Sequence, residues 1–172
     1  MSDPGAELVD VLDDAGRVVG RATRREMRAG RLPHRCVYIL VFNGRGEVFV
    51  HLRTATKDVY PSHWDVAVGG VLAAGESFEA GAQRELREEL GVETPLTALF
   101  PFRYDDRTTI VHATVYAAHH EGPFTLQEEE IVEGRFVDWT AFDALAARKP
   151  VCPDSLAVVA VYRRRHPPGG LA

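Results

Sequence analysis

The sequence predicts a mixed α/β fold, in which helices cover both sides of one sheet. Three observations carry that expectation. The apolar run CVYILVF belongs to a series of strand-like segments before and after the middle of the chain. A helical stretch from about Ser77 to Leu90 separates the two groups of strands. Two further helical stretches close the chain. Strands, a helix, more strands and then helices is the order of a sheet covered on two faces.

Each element has a local reason. Residues 1–6 are expected to form a flexible leader, residues 7–166 one domain, and residues 167–172, HPPGGLA without its His166, a flexible tail. Glu7 to Thr23 reads as a hairpin extension, LVDVL and RVVGRAT around the turn DDAG. Arg24 to Ala29 is a short helix ended by Gly30. Arg35 to Asn43 is apolar at successive positions, as in a strand buried on both faces. The turn NGRGE leads to a second strand, Val48 to Arg53. A polar loop, Thr54 to Trp64, and an extended, glycine-broken segment, Asp65 to Leu72, follow. Ser77 caps the central helix and Gly91 ends it, with Ala82, Leu86 and Leu90 as its core stripe. Leu96 to Arg103 and Thr108 to Ala118 read as antiparallel strands joined at YDDR. Residues 119–134 are expected to be a long acidic loop and Arg135 to Trp139 a short strand. Thr140 is expected to cap a helix to Arg148, and Asp154 another to about Arg165.

The 172 residues are 45% apolar and 26% charged, as in a globular domain with a real core. A net charge of −5 argues against duplex nucleic acid as a partner. It does not argue against phosphorylated substrates, because a bound cation reverses the local field. Neither a secretory leader nor an apolar stretch of membrane-spanning length is present, so a cytoplasmic protein with no membrane partner is expected. Cys36 and Cys152, far apart and outside any C-x-x-C pair, are expected to be reduced and structural. A second copy of the chain, giving a homodimer, is compatible with these features.

Function is concentrated in Gly70 to Val92, GVLAAGESFEAGAQRELREELGV. At about 100° per residue, Glu85, Glu88 and Glu89 fall at roughly 0°, 300° and 40° around the helix axis. Like charges so close destabilise a helix by themselves. A divalent cation among them makes the cluster favourable, and Mg²⁺ is the usual choice for carboxylates acting with phosphate oxygens; Mn²⁺ is a possible substitute.

The spacing matches the Nudix box, G-x5-E-x7-R-E-U-x-E-E-x-G-U with U aliphatic, at every position: Gly70, Glu76, Arg84, Glu85, Leu86, Glu88, Glu89, Gly91 and Val92. An accidental match in a chain this long is on the order of one in ten million. The chain therefore resembles Nudix hydrolases. That resemblance implies an α/β/α sandwich and cleavage of a diphosphate linkage in a nucleoside-diphosphate derivative. It implies metal-binding roles for Glu85, Glu88, Glu89 and the carbonyl of Gly69, and for Arg84 a role in orienting a box glutamate. A family spacing of about six residues before Phe136 selects Glu130 as a further ligand or as the catalytic base. Glu85, Glu88, Glu130 and Arg84 are the catalytic candidates.

The string HLRTATKDVYPSHWDVAVGG resembles a Nudix subgroup close to isopentenyl-diphosphate isomerases. In that subgroup Arg53 and Lys57 would face substrate phosphates; the alternative for both is plain surface charge. His34 is expected to be structural and Trp64 to pack against the box approach. Two rival functions follow from the same resemblance. Isomerase activity is disfavoured because Val68 stands where those enzymes carry a catalytic cysteine. A non-catalytic sensor or binding module is disfavoured because every box carboxylate is kept.

Overall fold

The computed structural model describes residues 3–167. The expected leader and tail thus fall partly outside the described residues. Within them, Pro4–Ala6 form a 3-10 turn whose N-cap, Asp3, also holds Arg25 at 2.7 Å.

Strands β1 (Leu8–Leu12) and β2 (Val18–Thr23) form the N-terminal hairpin. Helix α1 (Arg24–Ala29) follows at once, because Thr23 and Glu26 close a reciprocal capping box. Strands β3 (His34–Phe42) and β4 (Val48–Arg53) come next, then the two-residue β5 (Trp64–Asp65) and helix α2 (Phe78–Leu90). Strands β6 (Leu96–Asp105), β7 (Ile110–His119) and β8 (Ile131–Val137) precede helices α3 (Trp139–Ala146) and α4 (Pro153–Arg165).

The sheet is mixed. β3 runs parallel to β7 over nine residue pairs, His34↔Val111 through Phe42↔His119, and β7 pairs antiparallel with β6. β4 pairs antiparallel with β8 and with β5, and β1 joins β3 at Val11↔His34.

The apolar run in β3 splits with period two into two cores. Val37, Ile39 and Val41 pack with Ala82, Leu86 and Leu90 of α2. Cys36, Tyr38, Leu40 and Phe42 pack on the other side with Phe142 of α3 and with Val158 and Val159 of α4. The run from Cys36 to Phe42 is apolar at every position because helices bury both of its faces.

Several boundaries differ from expectation. β8 begins at Ile131, inside the expected acidic loop, because β4 pairs with it as far as Arg53↔Ile131. The acidic residues there mask the strand pattern. Asp138, not Thr140, caps α3, accepting from Ala141 N at 2.7 Å, and that helix ends at Ala146 rather than Arg148. Cys152, not Asp154, occupies the N-cap of α4, with Pro153 opening the helix. Asp154 instead receives the Tyr38 hydroxyl at 2.8 Å, a long-range contact invisible to local pattern.

Candidate active site

Helix α2 is terminated as its sequence dictates. Ser77 accepts from Ala80 N at 3.2 Å, and Gly91 adopts φ 69°, a left-handed residue that returns its N–H to the Arg87 and Leu86 carbonyls. The stripe Ala82, Leu86 and Leu90 is fully buried. That orientation also drives Glu85 and Glu89 inward, leaving them 7% and 3% exposed. Glu88, on the outer edge of the same face, stays half exposed.

The approach to the helix is shaped by two glycines. Gly69 has φ 151°, and a Cβ there would lie 2.1 Å from the Val37 carbonyl oxygen. Its neighbours' carbonyls are taken by β3: Ile39 N donates to Val68 O at 2.7 Å and Val37 N to Gly70 O at 3.0 Å. Carbonyls alternate along an extended segment, so that of Gly69 turns away from β3. Gly70 is required for another reason: a Cβ there would lie 2.6 Å from Oε1 of Glu85.

Arg84 gathers the carboxylates. Its Nε and Nη2 donate to Glu76 at 2.9 and 3.0 Å, a bidentate pair. Nη1 donates to Glu85 at 2.7 Å and to Glu88 at 3.0 Å, and Nη2 also reaches the Val71 carbonyl at 3.3 Å. The bonds from Arg84 hold Glu76 below the ordinary carboxylate range against its partial burial. The guanidinium thus ties the loop before α2 to its acidic face.

The electrostatics of the two inward glutamates differ from those of Glu76. Burial pushes the Glu85 carboxyl up to about 7, with Arg84 opposing and Glu88 and Glu130 adding to the rise. Glu89 is raised well above its ordinary value, first by burial and then by the charge of Glu85. Adjacent buried carboxylates that disfavour each other's ionisation are costly unless a cation joins them. The donor set, all carboxylate and carbonyl oxygen, suits a hard divalent cation such as Mg²⁺. Among the described residues no three His, Cys, Asp or Glu side chains already converge as a ready cage. Arg84 holds Glu85 and Glu88, and Lys57 holds Glu130.

Glu130 therefore meets Lys57 across the loop, as an ion pair at the edge of the site. Burial raises the Glu130 carboxyl, and Lys57 more than offsets this, so it titrates below its ordinary value. Arg53 is not presented as a free phosphate ligand. It donates to Asp65 at 3.2 Å and to the Val59 carbonyl at 3.0 Å. Asp65 in turn accepts from the Ser155 hydroxyl and from Ala67 N. His34 is buried, and its Nδ1 donates to the Leu32 carbonyl at 2.8 Å. Trp64 is buried on the α3–α4 side with Arg135 over its ring at 4.5 Å.

A cleft of about 680 Å³ runs alongside these groups. Gly69, Gly70, Lys57 and Glu130 line it, together with Tyr38 and Asp154 from the sheet and α4. Several of its residues carried no signal that sequence reasoning used. Arg24, Arg25 and Arg28 project from α1; their clustering in RREMR was visible but had no direction until the helix was docked. Asp106, outside the lining itself, holds two residues that line the cleft, Tyr60 and Thr109. It accepts from Tyr60 at 2.6 Å and Tyr104 at 3.2 Å, and from the backbone of Thr108 and Thr109 at 2.7 and 2.9 Å. Only the turn residues themselves were within reach of local pattern.

Comparison with known proteins agrees with this geometry. The NUDIX domain family model matches residues 32–162. YfcD of Escherichia coli K12, named an uncharacterized Nudix hydrolase, is 36% identical over 162 residues, covering 93% of this chain and 88% of its own. A Pseudomonas aeruginosa protein named likewise is 39% identical over 158 residues, covering 91% of this chain and 94% of its own. The crystal structure of DR0079 from Deinococcus radiodurans superposes with a TM-score of 0.77 at 25% identity, over 92% of this chain and 98% of that one. The Nudix domain of Shewanella oneidensis NrtR, solved with ADP ribose, shares the fold at a TM-score of 0.60 and 19% identity, over 77% of this chain and 87% of that one. The chain belongs to the Nudix family. It is an enzyme of the Nudix hydrolase type, a class acting on phosphoanhydride bonds.

Proposed function

We propose that the protein hydrolyses a diphosphate linkage in a nucleoside-diphosphate derivative and depends on a divalent cation, Mg²⁺ or Mn²⁺. One observation carries this: Glu85 and Glu89 are both buried on one face of α2, Glu85 against Gly70, and the charge of Glu85 adds to burial in raising the Glu89 carboxyl. Glu85, Glu89 and the Gly69 carbonyl would hold the cation, with Glu88 and Glu130 within the same acidic group. When bound, the cation supplies charge neutralisation at the diphosphate and acidifies water for attack.

The chain's own residues do the rest. Arg84 orients Glu85 and Glu88 and anchors both to Glu76, so the acidic face keeps its shape as ligands come and go. Glu130, ionised at neutral pH under the influence of Lys57, would accept a proton from the attacking water. Substrate phosphate oxygens entering the cleft compete with Glu130 for Lys57, releasing the carboxylate for that step. Arg53, which lines the cleft but is already engaged by Asp65, contributes positive field.

The loop string from His51 to Gly70 supports placement in the isopentenyl-diphosphate isomerase-like subgroup, without isomerase chemistry. Val68 is 1% exposed and packs in the core with Ile39 and Leu86, offering neither acid nor base. Free, buried Cys36 and Cys152 suit a reducing cytoplasmic setting, and among the described residues no helix is long and apolar enough to cross a membrane. The test is a screen of diphosphate compounds with Mg²⁺ or Mn²⁺, reading phosphate or nucleoside monophosphate. Turnover that needs the cation is expected; silence across the panel would favour a binding module.

A further inference from the structure

Resting on that hydrolase reading, we propose that the cleft contains a second anion subsite at Arg28, flanked by Arg24, which takes a phosphate monoester carried by the substrate apart from its diphosphate. The subsite is defined by a count of partners. Five basic residues line the cleft: Arg24, Arg25, Arg28, Arg53 and Lys57. Arg25 is paired with Asp3 at 2.7 Å, Arg53 with Asp65 at 3.2 Å, and Lys57 with Glu130. Arg24 lies 3.9 Å from both Glu7 and Asp58, too far for a close pair. Among the described residues Arg28 has no acidic partner. Its Nη1 reaches only the Thr109 hydroxyl, at 3.5 Å, and its Nε is buried with no hydrogen-bond partner.

The helix that carries this guanidinium is held in place. Met27 beside it is 1% exposed, the capping box fixes the start of α1, and Arg31 ties its end to the Asp106 carbonyl at 2.6 Å. A guanidinium stays charged under all ordinary conditions, and burying one without a counterion is costly. Set in a substrate cleft, the missing counterion is an anion of the ligand.

His34 narrows the chemistry. It lines the same cleft, and because its Nδ1 donates to Leu32 O, the neutral ring carries a lone pair on Nε2. That atom is also buried without a partner. An anion donor and a lone pair in one cleft suit a sugar phosphate, whose oxygens meet the guanidinium while a neighbouring hydroxyl or the phosphate's own proton meets His34. A carboxylate alone brings no such proton.

Two measurements test this. Without divalent cation, calorimetry on the intact chain compares adenosine 2′,5′-bisphosphate with AMP. The wild type is expected to bind the bisphosphate roughly tenfold tighter or more, Arg28→Gln to erase the difference, and Arg28→Lys to keep part of it. With Mg²⁺, the ratio of kcat/KM for NADP over NAD is expected to exceed one through KM and to collapse in Arg28→Gln. Equal binding of the two mononucleotides by the wild type overturns the subsite. So does an Arg28→Gln variant that keeps the preference, or an Arg28→Lys variant that behaves as Arg28→Gln does with both ligands lost alike. If no compound of the diphosphate panel is cleaved while the bisphosphate still binds through Arg28, the subsite stands and the hydrolytic reading fails.

Discussion

Gly70 and Glu85 are in direct contact: a Cβ on residue 70 would lie 2.6 Å from Oε1 and 2.8 Å from Cδ of the glutamate. The first glycine of the box and its first paired glutamate are therefore one structural unit, although 14 other residues separate them in sequence. The contact distinguishes two neighbouring glycines. Gly70→Ala meets only the end of a flexible side chain, so Glu85 would swing aside at little cost in stability. Turnover is expected to fall about 10²-fold with a melting temperature near wild type. Gly69→Ala meets the backbone of Val37 at 2.1 Å and a positive φ, and is expected to lose several kcal/mol, about 3 or more. Parallel melting and kinetic measurements separate the two; equal destabilisation would refute the contact's functional meaning.

Glu89→Gln should keep the fold and lose about 10²-fold or more in turnover, because a neutral amide replaces a negative ligand of the same size. A near-wild-type rate at saturating cation would show that Glu89 is not a principal ligand.

The raised Glu85 and Glu89 carboxyls give a signed pH effect. A carboxyl whose folded value, about 7 for Glu85, lies above its unfolded one binds more protons when folded. Its contribution to stability is present below the unfolded value near 4.5 and is lost as pH rises toward 7. His34 and His51, lowered by burial to about 4, act in the opposite direction, losing stability as pH falls below 6.5. The comparison of variant with wild type cancels that background. Without divalent cation, Glu85→Gln is expected to melt several degrees above wild type at pH 8 and to show no such gain at pH 5. Mg²⁺ should stabilise the wild type more at pH 8 than at pH 5, since it competes with protons for the same oxygens. A Glu85→Gln gain independent of pH would contradict the assigned titration.

Arg84→Lys keeps the charge and loses the planar fork that spans Glu76, Glu85 and Glu88. A 10- to 100-fold loss in turnover, on the order expected for an outer partner of metal ligands, should accompany weaker cation affinity. Cation titration of the activity reads both; an unchanged cation midpoint would leave Arg84 without its orienting role.

The wild type should not exchange hydrogen at carbon between isopentenyl and dimethylallyl diphosphate, because Val68 is sealed in the core. Incubation with isopentenyl diphosphate in heavy water and mass spectrometry reads this directly. Deuterium incorporation would overturn the hydrolytic assignment.

The box was legible in the sequence because its chemistry is local. A cap, a core stripe at helical period and three carboxylates on one turn-spanning face are all set by spacing within a single helix. The strand CVYILVF was legible for the same reason, since burial on both faces leaves no polar alternation. The site's state depended on what other segments bring to it. Arg53 ends β4 and Lys57 lies in the loop just after it, with the same exposure, 14% for each side chain, yet one faces Asp65 and the other Glu130. Nothing in their sequence neighbourhood distinguishes those partners. The same holds for β8, whose strand pairing with β4 overrides an acidic pattern, and for Arg28, which finds Thr109 and, among the described residues, no acidic partner only once α1 docks against β1 and β2. Backbone periodicity acts over a few residues and is written in order along the chain. Ion pairing and desolvation act through space, so they were decided only when the sheet brought distant residues together.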